Sequence, residues 1–374
     1  MKLESGDRVL VTGATGFIGS AVTRTLLARG LEVVTLVEPQ ADPDNLEGLD
    51  VKQLVGDIRS ADSVRQAMNG CRAVFHVAAL YRFWARDPSS FYAINVVGTR
   101  NVLNAAAEAD VERLVYTSTV GTLGLEHVRE TGTADELSFP DVRHLFGSYK
   151  RSKYVAEHEV LRAVAEGLPA SLVLPTFPLG PGDRAPTPTG QLVLDFLNGR
   201  VPGYVDTVLN VAHVDDVAEG HVLALERGRT GRSYIVGGEN LTLQALLGRL
   251  AWLTGLPTPK IKVPRLLSLA VAGVSETVEG TLLRRHPSIP LEAARMSTSR
   301  MAFDISRARA ELGYTPRPAT EALESSARWV ASSGLVSQRR LQRFRWATDT
   351  SLVEPPPPPP PPPHRPSSLR RASL

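Results

Sequence analysis

The sequence predicts an α/β protein with a doubly wound parallel sheet and a second, smaller lobe of mixed α/β structure. Three observations support this fold class. Short apolar segments alternate with segments of helical periodicity through the first half of the chain, a glycine-rich loop follows the first apolar segment, and a proline-rich stretch begins after residue 174. Apolar strands that alternate with helices are typical of a parallel sheet covered on both faces.

The first three elements form a βαβ unit at the N-terminus. Residues 8–11 are an apolar strand, residues 17–29 repeat apolar side chains at helical spacing before Gly30, and residues 32–37 form a β-branched strand. The same alternation continues along the chain. It predicts strands at 51–55, 73–77, 113–117 and 170–174, and helices at 60–68, 91–110 and 149–166.

The pattern changes after residue 174, where prolines and glycines are frequent up to residue 190. Beyond this stretch we expect helices at 191–197 and 215–226 and a strand at 210–212. We assign residues 1–174 to the first domain, whose sheet can take further strands from 205–240, and residues 175–330 to the second lobe. The apolar run 266–274 is interpreted as a packed helix, with contact to a membrane surface as the alternative.

The C-terminal region predicts a terminal helix over 331–353 and a disordered tail over 354–374. The tail contains nine consecutive prolines, which form an extended polyproline rod and neither a helix nor a sheet. We interpret it as a segment without a catalytic role. Two alternatives stay open: a proline rod can dock in aromatic grooves, and the ending LRRASL resembles the recognition sequence of basophilic serine kinases, with Ser373 as the acceptor.

Composition and charge narrow the class of protein. The net charge is +3 and much of the positive charge lies near the C-terminus, so the nearly neutral body argues against nucleic acid as a partner. Cys71 is the single cysteine, which excludes an intramolecular disulfide, and neither cysteines nor histidines suggest a metal site. We see no signal peptide and no membrane-spanning apolar run. We therefore expect a cytoplasmic protein with Cys71 in its core.

The glycine-rich loop carries the first chemical signal. Gly13, Gly16 and Gly19 follow a strand and precede a helix. At such a place glycine lets the backbone approach a pyrophosphate, and the helix N-terminus offers free N–H groups and a partial positive charge. Glu38 ends the next strand, where a carboxylate accepts hydrogen bonds from the adenosine ribose and repels a 2′-phosphate. The sequence therefore predicts a Rossmann-type dinucleotide site that prefers NAD, with NADP as the alternative.

Tyr149 and Lys153 carry the second chemical signal. They stand four residues apart on a predicted helix and therefore share one of its faces. The lysine ammonium is expected to lower the pKa of the tyrosine, which can then act as general base or acid toward a carbinol or a carbonyl. The strand before this helix ends in Ser118 and Thr119, so a hydroxyl can polarise the substrate oxygen beside Tyr149.

Taken together, these motifs resemble an extended short-chain dehydrogenase/reductase over most of the chain. The matching segments are GATGFIG, VGDI, HVAA, NVVGT, VYTSTVG, YKRSK and HVDDVA. The resemblance implies a catalytic triad of Tyr149, Lys153 and a hydroxyl, which falls on Thr119 or on Ser118. It places the following residues at the cofactor: Gly13, Thr15, Gly16, Phe17, Ile18, Gly19, Glu38, Asp57, Ile58, Ala78, Ala79, Asn95, Thr117, Lys153 and Pro175.

A narrower resemblance rests on segments such as LYRFWARDPSSFYAINVVGTRNVL and NVAHVDDVAEGHVLALERGRTG. They are similar to the hopanoid-associated sugar epimerases and also to dihydroflavonol 4-reductases. The first likeness implies an epimerase or dehydratase linked to hopanoid head groups, with Tyr149 as acid/base and hydride transfer at the nicotinamide C4. The second implies a reductase of a ketone or aldehyde. Glu38 departs from the arginine usual in the epimerase group, so the resemblance leaves NAD and NADP open.

The substrate is a sugar, polyol or lipid head group on this view, bound where the 175–330 lobe meets the cofactor. Arg82 could bind a phosphate or carboxylate and Trp84 could stack on a ring. The candidate substrate residues are Tyr81, Arg82, Trp84, His144 and Phe177. Packed or exposed loops are the alternative interpretation of the same residues.

The resemblance also bears on assembly. It implies a homodimer formed through the helices at 91–110 and 149–166, and a lipid head-group substrate would bring a transient, peripheral membrane contact. A third possibility is a cofactor-binding scaffold without enzymatic activity, which the intact Tyr149–Lys153 pair disfavours.

Overall fold

A computed structural model describes residues 1–125, 128, 132–297 and 299–344. Its centre is a seven-stranded sheet in which every neighbouring pair of strands is parallel. The strands are β1 (Arg8–Thr12), β2 (Glu32–Val37), β3 (Val51–Val55), β4 (Ala73–His76), β5 (Arg113–Thr117), β6 (Ala170–Pro175) and β10 (Ser233–Val236), in the order β10-β6-β5-β4-β1-β2-β3. The predicted doubly wound parallel sheet is therefore confirmed.

Helices cover this sheet in two groups. Helices α2 (Ala61–Met68), α3 (residues 89–108) and α4 (Ser148–Ala165) pack side by side, and α1 (Phe17–Leu27) packs against α6 (Val214–Arg227). The central strands are fully buried, as expected for strands with helices on both faces. Cys71 is buried as expected, and burial raises the pKa of its thiol to about 11.

The predicted helix at 91–110 has an irregular centre. Residues Ser89–Tyr92 and Thr99–Glu108 are α-helical, but Ala93–Gly98 between them form a π-helical segment. A π-segment inside a helix is rare and is often found at functional sites, because it redirects side chains by one position. Here it contains Asn95, one of the predicted cofactor residues.

The chain beyond residue 174 contributes both to the main sheet and to smaller sheets. Strand β10 lies next to β6 at the sheet edge. A second sheet contains β7 (Phe177–Leu179), β9 (Val208–His213) and β11 (Glu239–Thr242), and a third pairs β8 (Gly203–Tyr204) with β12 (Ile261–Lys262). The helices of this region are α5 (Pro188–Leu197), α7 (Leu243–Thr254), α8 (Arg265–Ser275), α9 (Leu291–Ser297), α10 (Ala319–Ser332) and α11 (Gln338–Leu341).

Two expectations for this half of the chain differ from the structure. The apolar run 266–274 does form a helix, but within α8 only Ala272 is buried, so the expectation of a packed helix is wrong. Among residues 331–344 the chain leaves α10 after Ser332 and forms only the short α11, so a continuous terminal helix is not formed there. The rest of that predicted helix, the proline tail and Ser373 lie outside the described residues.

No helix in the described part of the chain has both the length and the apolar character needed to cross a bilayer.

Candidate active site

The glycine loop joins β1 to α1 and has no room for side chains. A Cβ atom on Gly13, which has a φ of +73°, would lie 2.7 Å from the backbone of Ala78. A Cβ on Gly19 would lie 2.0 Å from the carbonyl oxygen of Gly13. The helix begins at Phe17 directly after this loop, so its free N–H groups face the same place. This narrow cradle fits the pyrophosphate of a dinucleotide, as the motif predicts.

Hydrogen bonds from Asn45, a residue outside the glycine loop, also hold this loop in place. The side-chain amide of Asn45 donates hydrogen bonds to the carbonyl of Thr15 (2.9 Å) and to that of Gly182 (3.0 Å). It therefore joins the glycine loop to the segment that follows β7. Sequence analysis missed Asn45, because it lies in a short 3₁₀ helix, Asp44–Leu46, without a recognisable motif.

Glu38 lies at the end of β2 with its side chain 56% exposed. It has a neighbour that sequence analysis did not anticipate: the Arg59 guanidinium lies 3.7 Å from its carboxylate. Arg59 also binds Asp57 (2.5 Å), and this hydrogen bond holds the pKa of Asp57 below its usual value. Ile58 between them is buried and packs against Gly98 of the π-segment. The predicted cofactor residues Glu38 and Asp57 thus lie on either side of a cation.

Asn95 joins the predicted cofactor loop to the helix that carries the tyrosine. Its side-chain oxygen accepts a hydrogen bond from the N–H of Leu80 (2.7 Å), the residue that follows Ala78 and Ala79. Its amide nitrogen donates to the hydroxyl of Ser152 in α4 (2.9 Å). Asn95 is therefore a positioning residue for both segments in this structure.

A buried histidine continues this network to the glycine loop. His76, at the end of β4, lies 2.7 Å from the Thr12 hydroxyl through Nδ1 and 2.9 Å from the Thr99 hydroxyl through Nε2. The Thr99 hydroxyl donates its one proton to the carbonyl of Asn95 (2.6 Å), so Nε2 must carry the proton of the imidazole. Burial lowers the pKa of His76 to about 3, which keeps the ring neutral.

Tyr149 and Lys153 lie on one face of α4, as their spacing predicts, and both are almost completely buried. The ammonium of Lys153 donates a hydrogen bond to the carbonyl of Thr117 (2.6 Å) and lies 4.4 Å from the centre of the Tyr116 ring. Burial lowers the pKa of Lys153 to about 7. The strand end thus holds the lysine at the carboxyl edge of the sheet.

The expected lowering of the pKa of Tyr149 by Lys153 is wrong for this structure. Burial of the phenol has the largest effect and raises its pKa well above the usual range, while a hydrogen bond with the side chain of Thr119 lowers it to a smaller extent. The phenol is therefore neutral at pH values near 7, the form that can donate a proton.

The structure distinguishes the two candidate hydroxyls at the end of β5. Ser118 donates a hydrogen bond to the carboxylate of Glu157 (2.5 Å), which also accepts one from Thr122 (3.1 Å). The Thr119 side chain instead interacts with Tyr149. The hydroxyl of Thr117 bonds to His221 (2.9 Å), so this predicted cofactor residue contributes its carbonyl to the site and not its hydroxyl.

The loop that follows Ala78 and Ala79 places the aromatic ring of Tyr81 beside the phenol. The Tyr81 ring lies 5.0 Å from that of Tyr149 and 5.9 Å from that of Phe83, and Trp84 meets His286 at 5.6 Å. The remaining predicted substrate residues are less informative. Arg82 is exposed, Phe177 is half-buried at the start of β7, Pro175 is buried at the end of β6, and the side chain of His144 lies outside the described residues.

Glu292 is the acidic residue at this site that sequence analysis missed. It is 8% exposed, and a Cβ on Gly147, whose φ is +86°, would lie 1.9 Å from its carboxyl carbon. One carboxylate oxygen is buried without a hydrogen-bond partner in the described part of the chain, and burial raises the pKa of the group to about 7. Its field raises the pKa of Tyr149 further. No local motif marks this position, which α9 brings to the start of α4.

The position of the tyrosine–lysine pair beside a glycine cradle defines the class of protein: an extended short-chain dehydrogenase/reductase, an NAD(P)-dependent oxidoreductase. The chain belongs to the NAD dependent epimerase/dehydratase family, whose model matches residues 9–237. The resemblance inferred from the motifs is confirmed, as is the expectation of an enzyme.

Individual relatives cover nearly the whole chain. A putative dihydroflavonol 4-reductase of Synechocystis sp. is 43% identical over 334 residues, 88% of this chain and 96% of the relative. Sterol demethylase protein B of Methylococcus capsulatus is 33% identical and covers 87% and 99%. The crystal structure of gox2253 superposes with a TM-score of 0.78 at 44% identity and covers 89% and 100%.

Proposed function

We propose that this enzyme reduces a ketone to a secondary alcohol, with Tyr149 as the proton donor. The observation that carries the proposal is the neutral, buried phenol next to a hydroxyl and a lysine on one face of α4. A protonated phenol in this position can donate its proton to a carbonyl oxygen.

Each residue of the site has a role in this proposal. Tyr149 gives its proton to the carbonyl oxygen as a new C–H bond forms at the carbonyl carbon. Thr119 donates a hydrogen bond to the same oxygen, and Lys153 binds the nicotinamide ribose while it stays fixed to the carbonyl of Thr117. When bound, the cofactor supplies the hydride that completes the reduction.

The cofactor-binding roles are proposed for the predicted residues. The cradle of Gly13, Gly16 and Gly19 would hold the pyrophosphate, and Glu38 would accept hydrogen bonds from the ribose of NAD. We propose NAD as the preferred cofactor because of Glu38. NADP is proposed as a weaker one, because Arg59 beside Glu38 could bind a 2′-phosphate.

The substrate class is proposed from the aromatic residues of the loop whose Tyr81 ring lies beside Tyr149. Tyr81, Phe83 and Trp84 favour a ligand with an apolar or ring-shaped body over a highly charged one. The names of the relatives, a reductase and a sterol demethylase protein, point in the same direction.

A sugar epimerase or dehydratase is the second candidate. The family description and the resemblance to hopanoid-associated epimerases favour it, with the polar head group of a membrane lipid as substrate. In that case the cofactor is regenerated in each turnover and stays bound. For either candidate we propose a cytoplasmic homodimer through α3 and α4, where Tyr92, Val155 and Leu161 are exposed.

Cofactor content and turnover test the proposal together. The protein is denatured after purification and the released NAD and NADP are measured; the native protein is then given NADH with a dihydroflavonol, and separately UDP-glucose. The proposal expects NADH consumption with the ketone, and loss of about 100-fold or more in the Tyr149→Phe variant.

Tyr154→Phe is the matched control, because this tyrosine lies on the same helix but is only half-buried. Retained turnover in Tyr149→Phe would contradict the proposed acid. Tightly held NAD together with epimerised UDP-glucose would favour the second candidate.

A further inference from the structure

Helix α8 exposes an apolar surface. The helix continues as a π-helical segment, Glu276–Leu282, and along both runs a single face points to solvent. We call this face the outer stripe; its members are 42% to 81% exposed and are Leu266, Leu267, Val271, Val274, Val278 and Leu282. From Leu267 to Leu282 the members stand three or four residues apart, which places them in one row along the helix, and Leu266 directly precedes the first of them.

Polar side chains at the end of α8 and in the π-helical segment bind the chain that follows them. Ser275 donates a hydrogen bond to Glu279 (2.8 Å), which also accepts one from the backbone of Ser288 (2.6 Å). Glu276 accepts one from the backbone of Leu291 (2.6 Å). A helix on the surface of a globular protein usually buries its apolar stripe, whereas within α8 only the small Ala272 is buried and the large apolar side chains of the outer stripe are exposed.

Positive charge lies at both ends of the outer stripe. Lys260, Lys262 and Arg265 precede it or begin its helix, and Arg284 and Arg285 follow it, all of them exposed. Lys262 is paired with the exposed Asp206 (2.9 Å) and Arg285 with Glu279 (2.9 Å), so the excess positive charge lies on Lys260, Arg265 and Arg284. An apolar face with an excess of positive charge at its ends is complementary to an anionic lipid surface, where the chains enter the interface and the cations meet head groups.

We propose that the outer stripe docks this enzyme on an anionic lipid bilayer. The surface lies over the candidate active site. A Cβ on Gly280 would lie 3.0 Å from the indole nitrogen of Trp84, and Arg86 donates a hydrogen bond to the carbonyl of Arg284 (3.4 Å). Docking would therefore place the Trp84 side of the candidate active site next to the bilayer, from which an apolar substrate could enter. This delivery role rests on the proposed function; the docking itself does not.

Vesicle flotation tests the docking. The full chain is mixed with vesicles of phosphatidylcholine alone or with about a third phosphatidylglycerol, since anionic lipid should attract the cationic ends. We expect flotation with the anionic vesicles, weakened by salt, and a drop of at least about tenfold for the triple variant Leu266→Ser, Val274→Ser, Leu282→Ser. These side chains are exposed, so the fold should tolerate their loss.

The matched control replaces three exposed apolar residues elsewhere, Val55→Ser, Trp252→Ser and Leu335→Ser, and should float like the unaltered protein. Unchanged flotation of the first triple variant would overturn the proposal and assign binding to another segment, such as the basic C-terminal tail. A lipid-free dimer that this variant abolishes would also overturn it, because a second copy would then cover the stripe. Turnover of a water-soluble ketone should be equal in both triple variants. If neither these variants nor the unaltered protein turned over the ketone, the result would contradict the proposed function and not the docking.

Discussion

Replacement of Lys153 by methionine is expected to stabilise the fold while it removes the proposed activity. Lys153 is 2% exposed, and burial holds its pKa at about 7 instead of 10.5. The unfolded chain therefore binds a proton more readily than the folded one between these two values, and stability should rise with pH across that window. Below about pH 7 the full cost of burying the cation is present.

The magnitude follows from the two pKa values. A difference of about 3.5 corresponds to ~5 kcal/mol at about pH 6, since each pKa step is about 1.4 kcal/mol, and at about pH 9 only ~2 kcal/mol remains. At about pH 6 the hydrogen bond from the ammonium to the carbonyl of Thr117 offsets roughly 2 kcal/mol, and at about pH 9 the same bond from the neutral amine offsets roughly 1 kcal/mol. Lys153→Met should thus be more stable by about 3 kcal/mol at about pH 6 and by about 1 kcal/mol at about pH 9.

Urea unfolding at the two pH values measures this difference directly. Lys52→Met is the control, because Lys52 is exposed and its loss should matter little at either pH. The argument would be refuted if Lys153→Met were less stable than the unaltered protein at about pH 6, or if its advantage were the same at both values. Turnover should fall by about 100-fold or more in the same variant if the lysine positions the cofactor.

Three further predictions concern the roles of single residues. Thr119→Val should lower kcat about 100-fold and Ser118→Ala less than about threefold, because Ser118 is bound to Glu157; equal effects in steady-state kinetics would contradict this assignment. Gly19→Ala should weaken NAD binding by at least about 100-fold in titration calorimetry, since its Cβ would lie 2.0 Å from a carbonyl oxygen. An unchanged Kd would contradict the proposal that the glycine loop binds the pyrophosphate. Glu38→Ala should shift the ratio of the Kd values for NADP and NAD about tenfold toward NADP, as Arg59 becomes free to meet a phosphate.

The parts of the fold that depend on local pattern could be predicted from the sequence. The strands at 51–55 and 113–117 match the observed ones, because short runs that contain valine and leucine between helical segments can be recognised from local sequence alone. The glycine loop and the shared face of Tyr149 and Lys153 were predictable for the same reason: each depends on spacing within a few residues.

What depends on distant contacts could not be predicted. Ser118 and Thr119 differ only in which partner the fold brings to them, and that partner is Glu157 for one and Tyr149 for the other. Glu292 reaches the site from a segment far along the chain. The apolar run 266–274 was expected to form a packed helix because apolar runs are usually buried, and nothing in its own residues indicates that only Ala272 of α8 is covered.

The buried network around His76 transmits position and not charge. Each hydroxyl in this network has a single proton, which it already donates in a hydrogen bond. The Thr12 hydroxyl donates to His76, the Thr99 hydroxyl to the carbonyl of Asn95, and the Ser152 hydroxyl to the carbonyl of Tyr149 in α4. A proton could pass along this network only if all of these hydrogen bonds reversed their direction together, and a backbone carbonyl has no proton to donate. The network thus fixes the position of the cofactor loop relative to α4. The proton that Tyr149 donates must be replaced by another route.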